Sequence, residues 1–286
     1  MVISIVSGKG GAGKTFIATN LFNQLKRFNH RTIIIDCDSE EPNIHNYINQ
    51  DSIKVENVNV SKPLIDVSKC MFCGQCEDNC EFNALLVIKS KNIVECNYDI
   101  CHGCRACYIF CPHDAISLKQ CTIGYLKFNY VNEELQSCIS ELKIGQKTSV
   151  PLIKKVLSDE VVNRNDITYI VDSPPGSSCQ FVNIVRKSDY VCVVVEATPF
   201  GINDALHCVE FLRDQNIPYG LIINKKREIF KGLTDKLRSN HIVLGEVPYS
   251  DEIFNTLATG QLITDNYEYS KLFLNIFENI FKHGQS

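Results

Sequence analysis

The hydrophobic positions of this chain fall into short unbroken runs, separated by longer stretches in which apolar residues recur every three or four positions. Val2–Val6, Ile33–Ile35, Ile167–Val171, Val191–Val195, Leu221–Ile223 and Ile242–Val247 are near-continuous apolar runs. Such runs predict central strands covered on both faces, as in a parallel sheet, because a strand with one wet face alternates instead. Between them, residues 16–28 place Ile17, Leu21 and Leu25 on one stripe, and residues 204–213 and 230–238 read as similar amphipathic helices. Strand and helix in alternation predict a doubly wound α/β fold on a mostly parallel sheet.

One segment breaks this pattern. From about residue 61 to 118 there is no long helical stripe, and nine of the 15 cysteines fall there. The organisation expected is an α/β domain made of residues 1–60 and 119–286, with 61–118 inserted as a small second domain. Strand–helix alternation is expected to resume from about Thr122.

Composition narrows the class. With 44% hydrophobic and 22% charged residues the chain is an ordinary globular one. A net charge of −4, from 29 basic and 33 acidic residues, argues against a nucleic-acid partner held through broad cationic surfaces. No apolar stretch approaches the ~18 residues of a membrane span. Met1–Val6 runs straight into a glycine-rich loop without the basic start and cleavage site of a signal peptide, so a cytoplasmic chain is expected. In a reducing compartment a high thiol content points to metal ligands sooner than to disulfides.

The run Val2–Val6 leads into Ser7-Gly8-Lys9-Gly10-Gly11-Ala12-Gly13-Lys14-Thr15 and then a helical stripe. Counted from Gly8 to Thr15 this fits G-x-x-x-x-G-K-[ST], in which glycines let backbone N–H groups turn onto phosphate oxygens at a helix N-terminus. Lys14 would reach the β- and γ-phosphates and the Thr15 hydroxyl would bind Mg²⁺. With Lys9 the loop reads K-G-G-x-G-K-T, and it resembles the deviant Walker A motif of the MinD/ParA/Mrp class of ATPases, which includes the nitrogenase iron protein. The resemblance covers nearly all the chain outside the insert. It implies a slow, partner-stimulated, Mg-dependent ATP hydrolysis in a homodimer or paralogue heterodimer, with Lys9 crossing to the partner's phosphates. It also implies that Asp36-Cys37-Asp38 holds the Mg²⁺ shell and orients the attacking water, with Asp38 narrowly preferred, and that Asp172-Ser173-Pro174-Pro175-Gly176 is the Mg²⁺-sensing switch. Both acidic segments follow strand runs, where doubly wound folds bind ligands. Asn224 matches the position that reads the purine in relatives, and the Val247-Pro248-Tyr249 loop is expected over the base.

Cys70-x2-Cys73-x2-Cys76-x3-Cys80 is followed by Cys101-x2-Cys104-x2-Cys107-x3-Cys111-Pro112. The duplicated C-x2-C-x2-C-x3-C run is the bacterial ferredoxin signature for two [4Fe–4S] clusters. Three close thiolates wrap one cubane and the fourth is aimed at the other. One set is therefore Cys70, Cys73, Cys76 and Cys111, the other Cys101, Cys104, Cys107 and Cys80. Glu81 stands where the second run has Pro112, which leaves the local turn there open. Zinc favours paired C-x2-C sites and fits the third cysteine of each run poorly. Cys37, Cys96, Cys121, Cys138, Cys179, Cys192 and Cys208 read mostly as core residues; Cys179, beside the switch, is the position at which a third cluster shared between two subunits is conceivable, although no second ligand is apparent.

Phe273, Ile276, Phe277, Ile280 and Phe281 form a stripe near the end of the chain. A membrane-surface helix needs a basic polar face, and only Lys271 and Lys282 lie near this one, so packing on the sheet is expected and no stable membrane anchor. The combined expectation is an ATP-dependent dimeric switch that gates electron transfer or docking to a redox or iron–sulfur partner. The alternatives are an iron–sulfur carrier of the Mrp type and a non-redox positioning ATPase.

Overall fold

The computed structural model describes residues 1–48, 51–162 and 166–284. The chain runs β1 (Val2–Val6), α1 (Lys14–Arg27), β2 (Thr32–Asp36), β3 (Ser52–Ile65), α2 (Gln75–Asp78), β4 (Leu85–Ile88), β5 (Ile93–Cys96), α3 (Ala106–Ile109), β6 (Ile116–Val131) and β7 (Glu134–Leu142). It continues through α4 (Val150–Val156), β8 (Thr168–Asp172), α5 (Cys179–Val185), β9 (Tyr190–Glu196), α6 (Pro199–Asp214), β10 (Tyr219–Lys226), α7 (Lys231–Asn240), β11 (Val243–Pro248), α8 (Asp251–Ala258) and α9 (Tyr267–Gly284).

Each apolar run of the sequence forms a strand of one sheet, ordered β11-β10-β9-β1-β8-β2-β7-β6-β3. From β11 to β7 every pairing is parallel. β1, β2 and β8 are buried at every position, as strands covered on both faces must be. On one face α1 and α9 pack together, with Phe16 edge-on to Phe273 at 5.8 Å. The terminal stripe thus faces inward: Phe273, Ile276, Phe277 and Ile280 are buried against the sheet and α1. α4 and α6 contribute to the cores of the opposite face.

Beyond β7 the sheet changes character. Instead of strand–helix alternation from Thr122, β6 and β7 form an antiparallel hairpin that turns at Asn132 and Glu133, both at positive φ (49° and 66°). That left-handed pair matches the twist of the flanking strands, which ordinary turns would splay. Ile123, Leu126 and Phe128 of β6 bury into the core beneath α4, and the helical stripe begins only at Val150. β3 pairs antiparallel with β6 from Ser52↔Tyr130 to Ile65↔Ile116, with one register shift at Val58/Asn59. This ladder runs unbroken through positions 61 and 118. What leaves the sheet is 66–115, closed at its neck by the Asp66 N–H donating to the Ala115 carbonyl at 2.7 Å.

The segment 66–115 holds two four-residue helices, α2 and α3, and the β4–β5 hairpin. Its two cysteine runs fold alike. Phe72 and Gly103 have φ of 51° and 71°, Gly74 and Arg105 of 91° and 68°, and Asn83 and Asp114 of 49° and 47°. These are equivalent positions of the two runs, so Glu81 does not divert the first turn from the course of the second.

Candidate functional site

The residues of the phosphate loop meet at the carboxyl ends of β1, β2 and β8. β1 stops at Val6, the loop turns with Gly11 and Gly13 at positive φ (75° and 97°), and Lys14 opens α1. Gly8 has no space for a side chain, because a Cβ there would overlap the Asp204 carbonyl of α6. The Lys14 ammonium lies buried and donates to Ser7 Oγ at 3.2 Å. Burial lowers its pKa, against the attraction of Asp172 and Asp38.

Asp172, at the end of β8, is 1% exposed, and burial pushes its carboxyl well up despite a hydrogen bond to Thr15 and the nearby Lys14. Its Oδ1 has no partner among the described residues. A buried, unpartnered carboxylate oxygen beside a hydroxyl and a P-loop lysine is a donor set suited to Mg²⁺ on a triphosphate. Asp36 is differently placed. Its carboxylate accepts the N–H groups of Asp38 (2.9 Å), Asn43 (2.9 Å) and Ile44 (3.2 Å), so it holds the 36–44 loop together. Burial still raises it to about 6. Asp38 is half-buried, receives one backbone N–H from Glu41 and feels the Lys14 charge, which leaves it the freer of the two.

Asn224 clamps the loop: its Nδ2 donates to the Ala12 carbonyl at 2.8 Å, and its amide fills the space a Cβ on Gly13 would take. Pro248 is exposed at the end of β11, next to Tyr249, over whose ring Arg227 stacks at 3.8 Å. Gly10 lies open. Lys9 pairs with Glu196 at 2.5 Å, and Lys225 donates to the Gly11 carbonyl at 2.8 Å. Glu196 and Lys225 escaped the sequence reading, although an acid at the end of β9 beside the loop was a usable signal.

The cysteines ring two separate cavities. One is lined by Cys70, Cys73, Cys76 and Cys111. The other is lined by Cys80, Cys101, Cys104 and Cys107, and also by Cys96. The fourth cysteine of each run therefore crosses to the other cavity. Among the described residues no three His, Cys, Asp or Glu side chains converge on a single ion position. A mononuclear zinc site would require that, with each sulfur about 2.3 Å from the metal. Backbone N–H groups point at the sulfurs, Phe72 to Cys70 Sγ at 3.4 Å and Ala84 to Cys80 Sγ at 3.3 Å. Such donors favour thiolates. The Cys101 thiol is pulled down to about 6, first by a hydrogen bond from Cys96, while burial pushes Cys107 up to about 11. Ringed cavities, crossed ligands and N–H···S donors fit [4Fe–4S] clusters.

Cys96 packs against the small core of Leu85, Cys107 and Ile116, as expected, and also forms part of the wall of the second cavity, for which its place five residues before Cys101 was the available hint. Cys37, Cys138, Cys192 and Cys208 are buried, Cys121 is half-buried and Cys179 is exposed at the start of α5. His102 stacks on Phe82 at 3.8 Å.

Among the described residues no helix is long and apolar enough to cross a membrane. An uncharacterized protein of Methanocaldococcus jannaschii is 29% identical over 266 residues, covering 91% of this chain and 90% of that protein. An uncharacterized ferredoxin of the same organism is 38% identical over 58 residues, covering 20% of this chain and 75% of the ferredoxin. The septum site-determining protein MinD of Pyrococcus horikoshii, solved with Mg-ADP, superposes with a TM-score of 0.57 at 14% identity, covering 98% of this chain and 96% of that one. Residues 3–263 match the CobQ/CobB/MinD/ParA nucleotide binding domain. With the phosphate loop, the parallel sheet and the buried Asp172 in place, the chain belongs to the CobQ/CobB/MinD/ParA nucleotide-binding family.

Proposed function

We propose that this protein is an ATP-hydrolysing dimeric switch whose nucleotide state sets the behaviour of two [4Fe–4S] clusters held in 66–115. Bound in the two cysteine cavities, the clusters would supply one-electron transfer to or from a redox partner. The chain's own residues do the rest. The loop from Gly8 to Thr15 cradles the phosphates with its N–H groups, Lys14 lies against them, and Thr15 and Asp172 hold the metal. Asp38 orients the water. Lys9 leaves Glu196 to reach a partner subunit's nucleotide, so that closing the dimer and placing charge on the γ-phosphate become one event.

The observation that carries this reading is the continuous connection between the two sites. Ser140 Oγ on β7 donates to the Asp36 carbonyl at 2.8 Å and lies 2.7 Å from Ser39 Oγ, while the Leu142 N–H donates to the Ser39 carbonyl at 2.8 Å. β7 then leads into the 143–147 turn, where the Lys147 N–H donates to the Asp99 carbonyl, two residues before Cys101, at 3.3 Å. A shift of the 36–39 loop on nucleotide exchange is therefore passed on to the second cavity through hydrogen-bonded backbone.

A second reading, a cluster carrier, draws on the exposure of Cys73 and Cys104, one in each cavity. Air-free purification separates the cases. A gated redox protein holds about eight irons per chain, keeps them in the presence of an apo-ferredoxin, and dimerises with a non-hydrolysable ATP analogue in Mg²⁺. Rapid loss of iron to the acceptor favours the carrier; an iron-free chain, or one that stays monomeric with the analogue, rules out the proposal.

A further inference from the structure

Lys62 is a lysine buried almost completely. It sits on β3 where the ladder reaches the insert, between Ser61 and Pro63, which line the second cysteine cavity. It is 2% exposed. Its ammonium donates to the Tyr98 carbonyl at 2.6 Å and to Gln146 Oε1 at 2.8 Å. Both acceptors are neutral, and among the described residues no carboxylate pairs with it. Its cross-strand neighbour is another cation, Lys119, whose Nζ lies 4.2 Å above the Tyr98 ring. A buried cation without a counter-charge is strongly disfavoured. The ammonium is tied to the segment that carries the cysteines of the second cavity: Tyr98, whose carbonyl it holds, is three residues from Cys101, and Gly103 packs against the backbone of Ser61.

We propose that Lys62 is a positioning residue whose ammonium serves as the buried counter-charge of the second cluster site and, through Gln146 in the 143–147 turn, passes the nucleotide state to that site. This rests on the cluster reading above and goes beyond it by naming the device. Four thiolates and a cubane carry net negative charge, which grows by one unit when the cluster takes up one electron. A cation held nearby in a low-dielectric setting stabilises the reduced form and raises the potential. The turn that holds Gln146 follows Leu142, whose N–H is fixed to Ser39 on the nucleotide loop. A move of that loop slides Gln146 and alters how firmly the ammonium is held toward the thiolates.

The test is a mediator-controlled redox titration of the air-free holoprotein, with dithionite as the electron source and EPR as the readout, after iron and sulfide analysis has established that each variant carries both clusters. Lys62→Met is expected to lower one of the two potentials, so that its reduced-to-oxidised ratio at fixed poise falls at least tenfold, about 59 mV for a one-electron couple, and to leave the other in place. Lys62→Arg, which keeps the charge, should hold the upper value. Gln146→Leu should keep the nucleotide-free potential but flatten its response to Mg·AMPPNP. Lys62→Gln serves where the Met variant does not retain its iron, and should give the same downward shift. Both potentials unmoved in the uncharged variants, or both moved equally, overturns the assignment while leaving the cluster reading intact. Wild-type protein without iron overturns the reading itself.

Discussion

Asp172→Asn replaces a buried, titratable carboxyl beside Lys14 and Thr15 with a neutral amide of the same shape. The wild-type carboxyl is 1% exposed, its Oδ1 is unpartnered among the described residues, and burial and the neighbouring Asp36 push its pKa well up. The Asn amide keeps an unpartnered oxygen there, but a buried ionised carboxyl costs more than a neutral amide of the same shape, because the charge forfeits its full hydration. Against this stands the lost attraction to Lys14, which retains Asp38. The balance predicts that the nucleotide-free variant gains about 1–2 kcal/mol at pH 7.5, a rise in Tm of about 2–8 °C at about 2–4 °C per kcal/mol. The sign with pH follows from the raised carboxyl. The native state binds its proton more tightly than the unfolded chain, so wild-type stability falls as pH rises above about 4. The variant's advantage therefore disappears near that pH. With Mg·AMPPNP at a hundredfold excess over its Kd the wild type gains about 2.7 kcal/mol, and the variant, without the metal's carboxylate, gains little. Thermal melts in EDTA and in Mg·AMPPNP, at pH 4.5 and 7.5, read all of this. A variant less stable than wild type in EDTA at pH 7.5, or one stabilised equally by the nucleotide, would refute the metal role of Asp172.

Lys14→Ala should abolish nucleotide binding in a calorimeter, whereas Lys9→Ala should retain most of it and slow turnover and dimerisation; equal loss of binding contradicts the reach of Lys9 across the dimer. Gly8→Ala, whose Cβ meets the Asp204 carbonyl, should cost about 1–3 kcal/mol in urea unfolding and weaken nucleotide binding, while Gly10→Ala, whose Cβ meets no described atom, should leave the nucleotide-free urea midpoint unchanged. Cys104→Ala should lower the iron content from about eight to about four per chain, because the two cavities share no cysteine. Burial raises Asp36 to about 6, and an Asp172→Asn background isolates its titration from that of Asp172. The stability it contributes is present below about pH 4 and is lost as pH rises to about 6, amounting to about 3 kcal/mol at most, and urea midpoints at pH 4.5 and 7 measure it.

The parallel half of the sheet was legible because strands buried on both faces leave continuous apolar runs, as β1, β8 and β9 do. The phosphate loop was legible because its glycines are dictated by contacts: Gly8 by α6 and Gly13 by Asn224. The β3–β6–β7 arm was not. β3 is an edge strand with Ile53 and Val55 exposed, and the register shift at Val58/Asn59 interrupts its alternation. Within 66–115 the cysteine spacing foretold which thiols line the same cavity, while the hydrophobic period is weak because the core there is small. Cys96 looked like any small apolar residue, because only the β4–β5 hairpin brings it to Cys101. The separate duties of Asp36 and Asp38 depend on which backbone N–H groups the 36–44 loop supplies, and Lys62 is unreadable from sequence because nothing local marks a lysine as buried.

In the proposed switch the nucleotide and the clusters sense one another. EPR-monitored potentials of the air-free wild-type protein in Mg·AMPPNP and in Mg·ADP test it most directly. At least one potential is expected to differ between the two states, with the same iron content in both; identical potentials at full nucleotide occupancy would contradict any coupling between them.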